Sequence, residues 1–295
     1  MARPYLGNPG RCREVLKKYG FTFRKKYGQN FLISEAVLEG IIDAAEITRE
    51  DFVLEIGPGI GTLTQYLADS ARRVTAVEID RTLLPILADT LADWPNADVI
   101  NADILKTDIA AIAARENEGR PIKVAANLPY YITTPIIMGL LEGGAPIGSL
   151  TVMVQKEVAE RMVTGPGSKE YGALSLAVAY YTEAEIAFIV PPSAFIPQPK
   201  VESAVVRMVR REKPPVEVRD EALLFALIRA AFNERRKTLV NGINHYAGFH
   251  FSKEEAAQAV EKCGFKPTIR GEQLSLADFG AIADALYELR PEWRA

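Results

Sequence analysis

Apolar positions along the chain follow two rhythms. Short, mostly apolar runs at 52–56 and 122–126 read as buried strands, and those at 73–79, 97–100 and 149–154 as further strands. Segments with helical spacing separate them: a helix opening at Thr62, one opening near Asp80, and helices over 108–118, from 133 and over 155–163. Val37, Leu38, Ile41 and Ile42 predict a further helix over 34–46, capped by Ser34. Past a Gly-Pro-Gly-Ser loop at 165–168, residues 174–181 predict a helix, and 185–190 and 203–209 two more strands. Between those strands Pro191, Pro192, Pro197 and Pro199 stiffen one loop. Pro214-Pro215, after Arg210-Arg211-Glu212-Lys213, marks a boundary. Beyond it every predicted element is helical: 221–232, a helix opened by Asn233 to Lys237, one from Ser252, and 276–289. The expected divisions are an N-terminal arm at 1–26, an α/β domain at 27–212 and a small all-α C-terminal domain at 213–295.

Composition places the chain among globular proteins, with 48% hydrophobic and 25% charged residues. Apolar runs stay far short of the roughly 20 residues that span a bilayer, and the amino terminus lacks the charged-then-apolar pattern of a secretion signal. Cys12 and Cys263 stand far apart without ligand-like spacing, so neither a disulfide framework nor a metal site is expected, and the chain is expected in a reducing cytoplasm. The net charge of −3 is unevenly spread. Residues 1–30 hold eight basic side chains, Lys25 and Lys26 among them, against the single acid Glu14, a net +7 that leaves −10 for the remainder. Such an arm either neutralises phosphates or is a solvated tail. Arg235, Arg236 and Lys237 form a second basic run, expected to fan across a helix and either reach phosphates or face solvent.

The candidate chemistry gathers where strands end, since ligands of parallel sheets collect at the carboxyl tips. Gly57, Gly59 and Gly61 follow the first of the five strands in G-x-G-x-G spacing. Glycines there let a ligand approach the backbone. The dinucleotide fingerprint sets its third glycine one position later, so the spacing departs from a nicotinamide site and favours S-adenosylmethionine. Glu78, at the second tip, suits a pair of ribose hydroxyls, while Asp80 suits a helix cap. Asp103, at the third, is either an acceptor for the cofactor's adenine amine, with Ile79 and Ile104 on the ring faces, or a turn cap. At the fourth tip stand Asn127, Leu128, Pro129 and Tyr130. The Asn127 amide oxygen and the Leu128 carbonyl can accept both hydrogens of an exocyclic amine, Pro129 fixes the turn, and Tyr130 can stack on the base. Phe195, on the proline-rich loop, either covers the second face of that base or packs in a core.

Six segments in order resemble the ribosomal RNA adenine dimethyltransferases, most closely their bacterial small-subunit branch. They are Gly28-Gln29-Asn30-Phe31-Leu32, Glu55-Ile56-Gly57-Pro58-Gly59, Asn127-Leu128-Pro129-Tyr130, Gln155-Lys156-Glu157-Val158, Phe195-Ile196-Pro197-Gln198-Pro199-Lys200-Val201, and Phe232-Asn233-Glu234-Arg235-Arg236-Lys237-Thr238. The resemblance implies a class I methyltransferase fold: a Rossmann-like, seven-stranded, mostly parallel sheet whose last strand is antiparallel, plus a helical C-terminal domain. It implies S-adenosylmethionine as cofactor, with Asn30, Leu32, Gly57, Glu78, Asp103 and Asn127 matching the residues through which the family holds it. It further implies transfer of four methyl groups to two adjacent adenosines near the 3′ end of 16S ribosomal RNA, within the immature 30S subunit, by a cytoplasmic monomer.

The chemistry asks for no metal and no strong base. An adenine amine is a poor nucleophile because its lone pair is delocalised, and holding both its hydrogens favours a pyramidal nitrogen. The sulfonium methyl is already activated, so positioning supplies much of the rate. The target base must leave its stack, which stacking on Tyr130 and Phe195 would offset. A DNA adenine methyltransferase, a 23S ribosomal RNA methylase, a ribosome-assembly factor acting mainly by binding, and a nicotinamide dehydrogenase are the competing readings.

Overall fold

The computed structural model describes residues 4–24 and 28–294. α1 (Pro9–Lys18) begins at Asn8, whose side chain accepts from the Gly10 and Arg11 N–H groups. β1 (Phe31–Leu32) and α2 (Glu35–Ala44) lead into an alternation of strand and helix: β2 (Phe52–Ile56), α3 (Thr62–Ser70), β3 (Arg73–Glu78), α4 (Leu84–Thr90), β4 (Ala97–Asn101), α5 (Ile109–Asn117), β5 (Ile122–Asn127), α6 (Thr133–Glu142), β6 (Ile147–Gln155) and α7 (Lys156–Val163). α8 (Ala173–Tyr181), β7 (Thr182–Val190), β8 (Phe195–Ile196) and β9 (Ser203–Arg210) follow, then α9 (Glu221–Asn233), α10 (Leu239–His245), α11 (Lys253–Lys262) and α12 (Leu276–Leu289).

Among the described residues one sheet holds seven strands in the order β4-β3-β2-β5-β6-β9-β7. β4, β3, β2, β5 and β6 run parallel, and β9 is antiparallel to β6. The fold is a Rossmann-like α/β architecture with a helical C-terminal region. Strands added after β2 build outward in one direction and those from β5 in the other, so a crevice opens between β2 and β5. Ile56 is paired with both Val77 and Ala126, which sets the tips of β3, β2 and β5 level. Every residue of β2 is buried, as its apolar run predicts, with Glu55 the exception in chemistry though not in burial.

The chain forms two compact units, Met1–Ala159 with Ala184–Arg210, and Glu160–Glu183 with Arg211–Ala295. The expected boundary at 212–213 marks the main entry into the second unit, but the excursion 160–183 belongs there as well. Its reason lies in α8, where Leu174 to Val178, Tyr180 and Tyr181 are all buried. A helix apolar all round needs partners on every side. Within this unit Tyr181 stacks on Phe225 of α9, with ring centroids 5.2 Å apart. Ser252 with Glu255, and Ser275 with Asp278, form capping boxes that start α11 and α12.

Two expectations are corrected. The basic N-terminal stretch is not a free arm: Leu6, Cys12, Val15 and Leu16 are buried in one cluster with Ile60, Leu83 and Leu87. Its basic side chains on α1 stay on the outside, Arg11, Arg13, Lys17 and Lys18 all being exposed. Lys25 and Lys26 lie outside the described residues. Finally, Arg235, Arg236 and Lys237 do not open a helix but occupy the turn between α9 and α10, because Thr238 caps α10 through the Asn241 N–H.

Candidate active site

The crevice at the strand tips is a cleft of about 1010 Å³, its open mouth included. Its wall brings together Asn30 and Leu32 from the β1 region, Gly57 and Gly59 after β2, Glu78 and Ile79 after β3, Asp103 and Ile104 after β4, and Asn127 to Tyr130 after β5. Positions far apart in sequence thus converge because their chain segments end on one edge. Phe195 does not join them. It is 1% exposed, lies in the core with Val53, Met153 and Val205, and pairs with Leu32 across the β1–β8 ladder. Of the two places the sequence leaves open for Phe195, the structure shows the ring packed in the core behind Leu32.

The turn after β2 needs its glycines. Gly57, Gly59 and Gly61 have φ of 69°, 61° and 91°, in the left-handed region. A Cβ on Gly59 would stand 2.9 Å from the Phe31 ring, whereas one on Gly57 would meet nothing within 4 Å. The latter position is therefore open to a ligand. Gly57 donates its N–H to the Val77 carbonyl, 3.0 Å away, and Gly61 to Pro58 at 2.9 Å, which tightens the turn.

Glu78 is 5% exposed and already accepts from the Asp80 N–H at 2.7 Å and the Gly59 N–H at 3.3 Å, one on each oxygen. Each oxygen keeps a lone pair for a further donor. Burial pushes this carboxyl upward, the two N–H groups pull it down, and the Asp80 carboxylate adds to the rise. Asp80 itself caps the next turn through Thr82, as expected, and also accepts from the Gln29 amide at 3.1 Å, with the Arg24 guanidinium 3.5 Å away. Asp103 is a turn cap that also lies at the cleft. One oxygen caps through the Leu105 N–H at 3.1 Å, yet the residue lines the cleft.

Asn127 is the last residue of β5, and its side-chain Nδ2 donates to the Asn30 carbonyl at 3.0 Å. A carbonyl can only accept, so the amide's orientation is chemically fixed and Oδ1 is turned away from Asn30. Among the described residues nothing donates to that oxygen. The next turn is closed onto the Pro129 carbonyl by the Ile132 N–H at 3.2 Å and the Thr133 hydroxyl at 3.1 Å. Tyr130 is half-buried, its hydroxyl 2.8 Å from Ser203 Oγ, and burial raises its pKa.

Two lining residues escape a sequence reading. Glu55 is 1% exposed, Oε2 has no partner among the described residues, and its carboxyl is pushed up to about 8 by burial, the nearby Glu78 charge adding to the rise and the Thr64 hydroxyl opposing it. Its signal is an acid inside an otherwise apolar strand. Tyr131 lines the cleft at 56% exposure, adjacent to Tyr130. Glu78 and Asp103 give the wall its charge, with Glu55 held mostly protonated near neutral pH by its burial, and no lysine, arginine or histidine lines it among the described residues.

The Arg235 guanidinium, in the helical unit, donates to the carbonyls of Lys169 at 2.8 Å and Tyr171 at 2.7 Å, while Arg236 and Lys237 are exposed. No group of metal-ligating side chains occurs among the described residues, and none of their helices is long and apolar enough to cross a membrane.

The model of a family described as ribosomal RNA adenine dimethylase matches residues 20–283. The chain is 58% identical over 285 residues to a ribosomal RNA small subunit methyltransferase A of Lachnoclostridium phytofermentans, covering 96% of this chain and 98% of that one. It is 49% identical over 283 residues to the protein of the same description in a Geobacillus species, covering 95% and 97%. Among solved structures, a dimethyladenosine transferase from Plasmodium falciparum superposes with a TM-score of 0.68 at 26% identity, over 85% of this chain and 95% of that one. The 23S rRNA methyltransferase ErmE superposes with a TM-score of 0.63 at 27% identity, over 87% and 99%.

Proposed function

The chain belongs to the ribosomal RNA adenine dimethylase family, and from that membership we propose which adenosines it modifies and how its residues do so. It is an S-adenosylmethionine-dependent adenine dimethyltransferase of ribosomal RNA. Its substrate, in our reading, is the pair of adjacent adenosines in the 3′-terminal hairpin of 16S ribosomal RNA, presented by the immature 30S subunit. Four methyl groups are transferred, and the enzyme works in the cytoplasm as a monomer.

The cofactor's chemistry fits the wall of the cleft. A sulfonium and an ammonium are cations, and the Glu78 and Asp103 carboxylates, with no basic side chain among the described lining residues, suit them. The same charge would repel a pyrophosphate, which counts against a dinucleotide. Glu78 would hold the ribose hydroxyls, Asp103 the adenine amine between Ile79 and Ile104, and Asn30, Leu32 and Gly57 the rest of the cofactor, with Glu55 short of the one partner a cationic group supplies. When bound, S-adenosylmethionine supplies an activated methyl group.

The observation that carries the reading is the Asn127–Asn30 hydrogen bond. It holds Oδ1 as a preoriented acceptor, at no cost of reorganisation when a target amine arrives. With the Leu128 carbonyl beside it, both amine hydrogens are engaged and the nitrogen lone pair is directed outward. Tyr130, tethered through Ser203, offers one face for the base. Identity of 58% to a small-subunit enzyme, against 27% to a large-subunit one, favours 16S over 23S ribosomal RNA. Labelled methyl groups supplied to unmethylated small and large subunits decide the matter. Two adjacent dimethyladenosines near the 3′ end of 16S ribosomal RNA are expected, and label confined to 23S ribosomal RNA would overturn the reading.

A further inference from the structure

Ser203 opens β9, a strand that continues with the buried Ala204, Val205 and Val206, and it is itself fully buried. A buried hydroxyl needs a partner. Among the described residues the partner of this one is a side chain of the cleft, for Ser203 Oγ stands 2.8 Å from the hydroxyl of Tyr130, 73 residues earlier in the chain. Tyr130 lines the cleft and Ser203 does not, so the ring belongs to the site while its hydroxyl is held from outside it. We propose that Ser203 is a positioning residue for methyl transfer: by holding the Tyr130 hydroxyl it fixes the ring where the target adenine stacks. This rests on the adenine dimethyltransferase reading given above, in which Tyr130 offers the base one face.

Both ends of the contact are fixed. Ser203 lies opposite Gln155 in the β6–β9 ladder. Glu202, the residue before it, accepts the Lys156 N–H on its carbonyl at 3.0 Å and pairs with the Lys156 ammonium at 2.8 Å. The anchor is therefore part of the sheet. On the other side, the turn after β5 is closed onto the Pro129 carbonyl by the Ile132 N–H at 3.2 Å and the Thr133 hydroxyl at 3.1 Å. That closure holds the backbone around Tyr130 but not its two side-chain torsions. A hydrogen bond at the far end of the ring restrains both, and so removes the ordering cost that a mobile side chain incurs when a ligand docks. Burial raises the Tyr130 pKa above its ordinary value, against the opposing pull of Ser203, so the contact joins two neutral hydroxyls at neutral pH.

The test is a double-mutant cycle over Ser203→Ala, Tyr130→Phe and the two together. Single-turnover methyl transfer to unmethylated small subunits, KM for those subunits, cofactor Kd and Tm are measured for each protein. Loss of one hydrogen bond, or of the side-chain order it maintains, is worth about 2- to 12-fold, so each single variant is expected to slow transfer by about that factor. The double variant should be no slower than the slower single one, because both changes remove the same bond, whereas independent effects would multiply. KM for the subunits and cofactor Kd should stay at wild-type values, which a general loosening of the sheet would not spare. Wild-type transfer in either single variant, or multiplied losses in the double variant, overturns the proposal. The two readings fail differently. A wild type that places no label in small-subunit RNA overturns the dimethyltransferase reading and this inference with it, while a labelling wild type matched by Ser203→Ala overturns the positioning role alone.

Discussion

Replacing Asn127 by alanine separates chemistry from architecture. The side chain makes one hydrogen bond, from Nδ2 to the Asn30 carbonyl at 3.0 Å, and leaves Oδ1 free for substrate. Losing the first costs about 1 kcal/mol of folding stability, or about 2–4 °C in Tm for a unit of this size. Losing the second removes a preoriented acceptor from the transition state. Deleting one such preoriented group typically costs about 10²–10³-fold in kcat, roughly 2.7–4 kcal/mol. Cofactor affinity loses at most one hydrogen bond, about 0.5–1.5 kcal/mol or roughly 2- to 12-fold. Single-turnover transfer of labelled methyl groups, isothermal titration with the cofactor and a thermal melt measure the three quantities. Asn127→Asp sharpens the case, because it keeps the shape and an outward acceptor but sets an acceptor against the Asn30 carbonyl. It too should be inactive. Turnover above about a tenth of wild type in Asn127→Ala, with the fold intact, would refute the assignment, since so small a drop is no more than a single ordinary hydrogen bond explains.

Gly59→Ala forces a side chain onto a φ of 61° and sets its Cβ 2.9 Å from the Phe31 ring; a loss of about 1–3 kcal/mol is expected, and an unchanged denaturation midpoint would remove the strain argument. Glu55, with its carboxyl raised from 4.5 to about 8, stays protonated in the fold while the unfolded chain ionises, so stability of the free enzyme falls as pH rises across that window. Glu55→Gln should flatten this fall and exceed wild type in Tm near the upper end of that window; parallel melting curves across it would exclude the claim. Arg13→Glu with Lys17→Glu changes two exposed positions of α1 without touching its buried face; the salt dependence of RNA binding should weaken by about 0.7–0.9 in slope for each phosphate no longer neutralised, and an identical slope would place the phosphates elsewhere.

Much of the α/β layout is legible because each strand of the parallel part is an apolar run and each ends in residues whose side chains differ from it. Asn127, Glu78 and Asp103 stand out at those ends, and the register of β2 with β3 and β5 then levels the tips. What the chain conceals is partnership. Nothing in residues 9–18 says that a helix with a basic exterior buries Cys12, Val15 and Leu16. The apolar 173–181 announces a helix, not that it joins the helical unit rather than the sheet. The packing of Phe195 is concealed for the same reason, since a two-residue ladder with β1 fixes its burial and short ladders leave no periodicity. Glu55 was readable as an anomaly, an acid within five buried strand residues, but its consequence depends on knowing that Glu78 lies close enough to raise its pKa further.

Charge explains why a nucleic-acid enzyme can have an acidic centre. With the Glu78 and Asp103 carboxylates on the wall and no basic side chain among the described lining residues, a phosphate entering the cleft would face repulsion at short range. A neutral base carries no such penalty. On the proposed function, such a cleft would admit the base and exclude the backbone that bears it, which is what extrusion of one nucleotide requires. Backbone charge must then be met outside, by residues such as Arg13 and Lys17, which are exposed on α1. Arg24 marks the border between the two regimes. It is 45% exposed, yet its guanidinium lies 3.5 Å from Asp80, whose other oxygen holds the Gln29 amide beside the cleft wall. The segment that carries the basic residues is thus tied to the acidic site by opposite charges. Cutting that tie by Arg24→Ala should loosen the wall formed by Gln29 and Asn30 more than it weakens phosphate binding. Faster amide exchange at those two residues, with the salt slope of RNA binding little changed, is the expected pair of results; the reverse pair would make Arg24 a phosphate ligand instead.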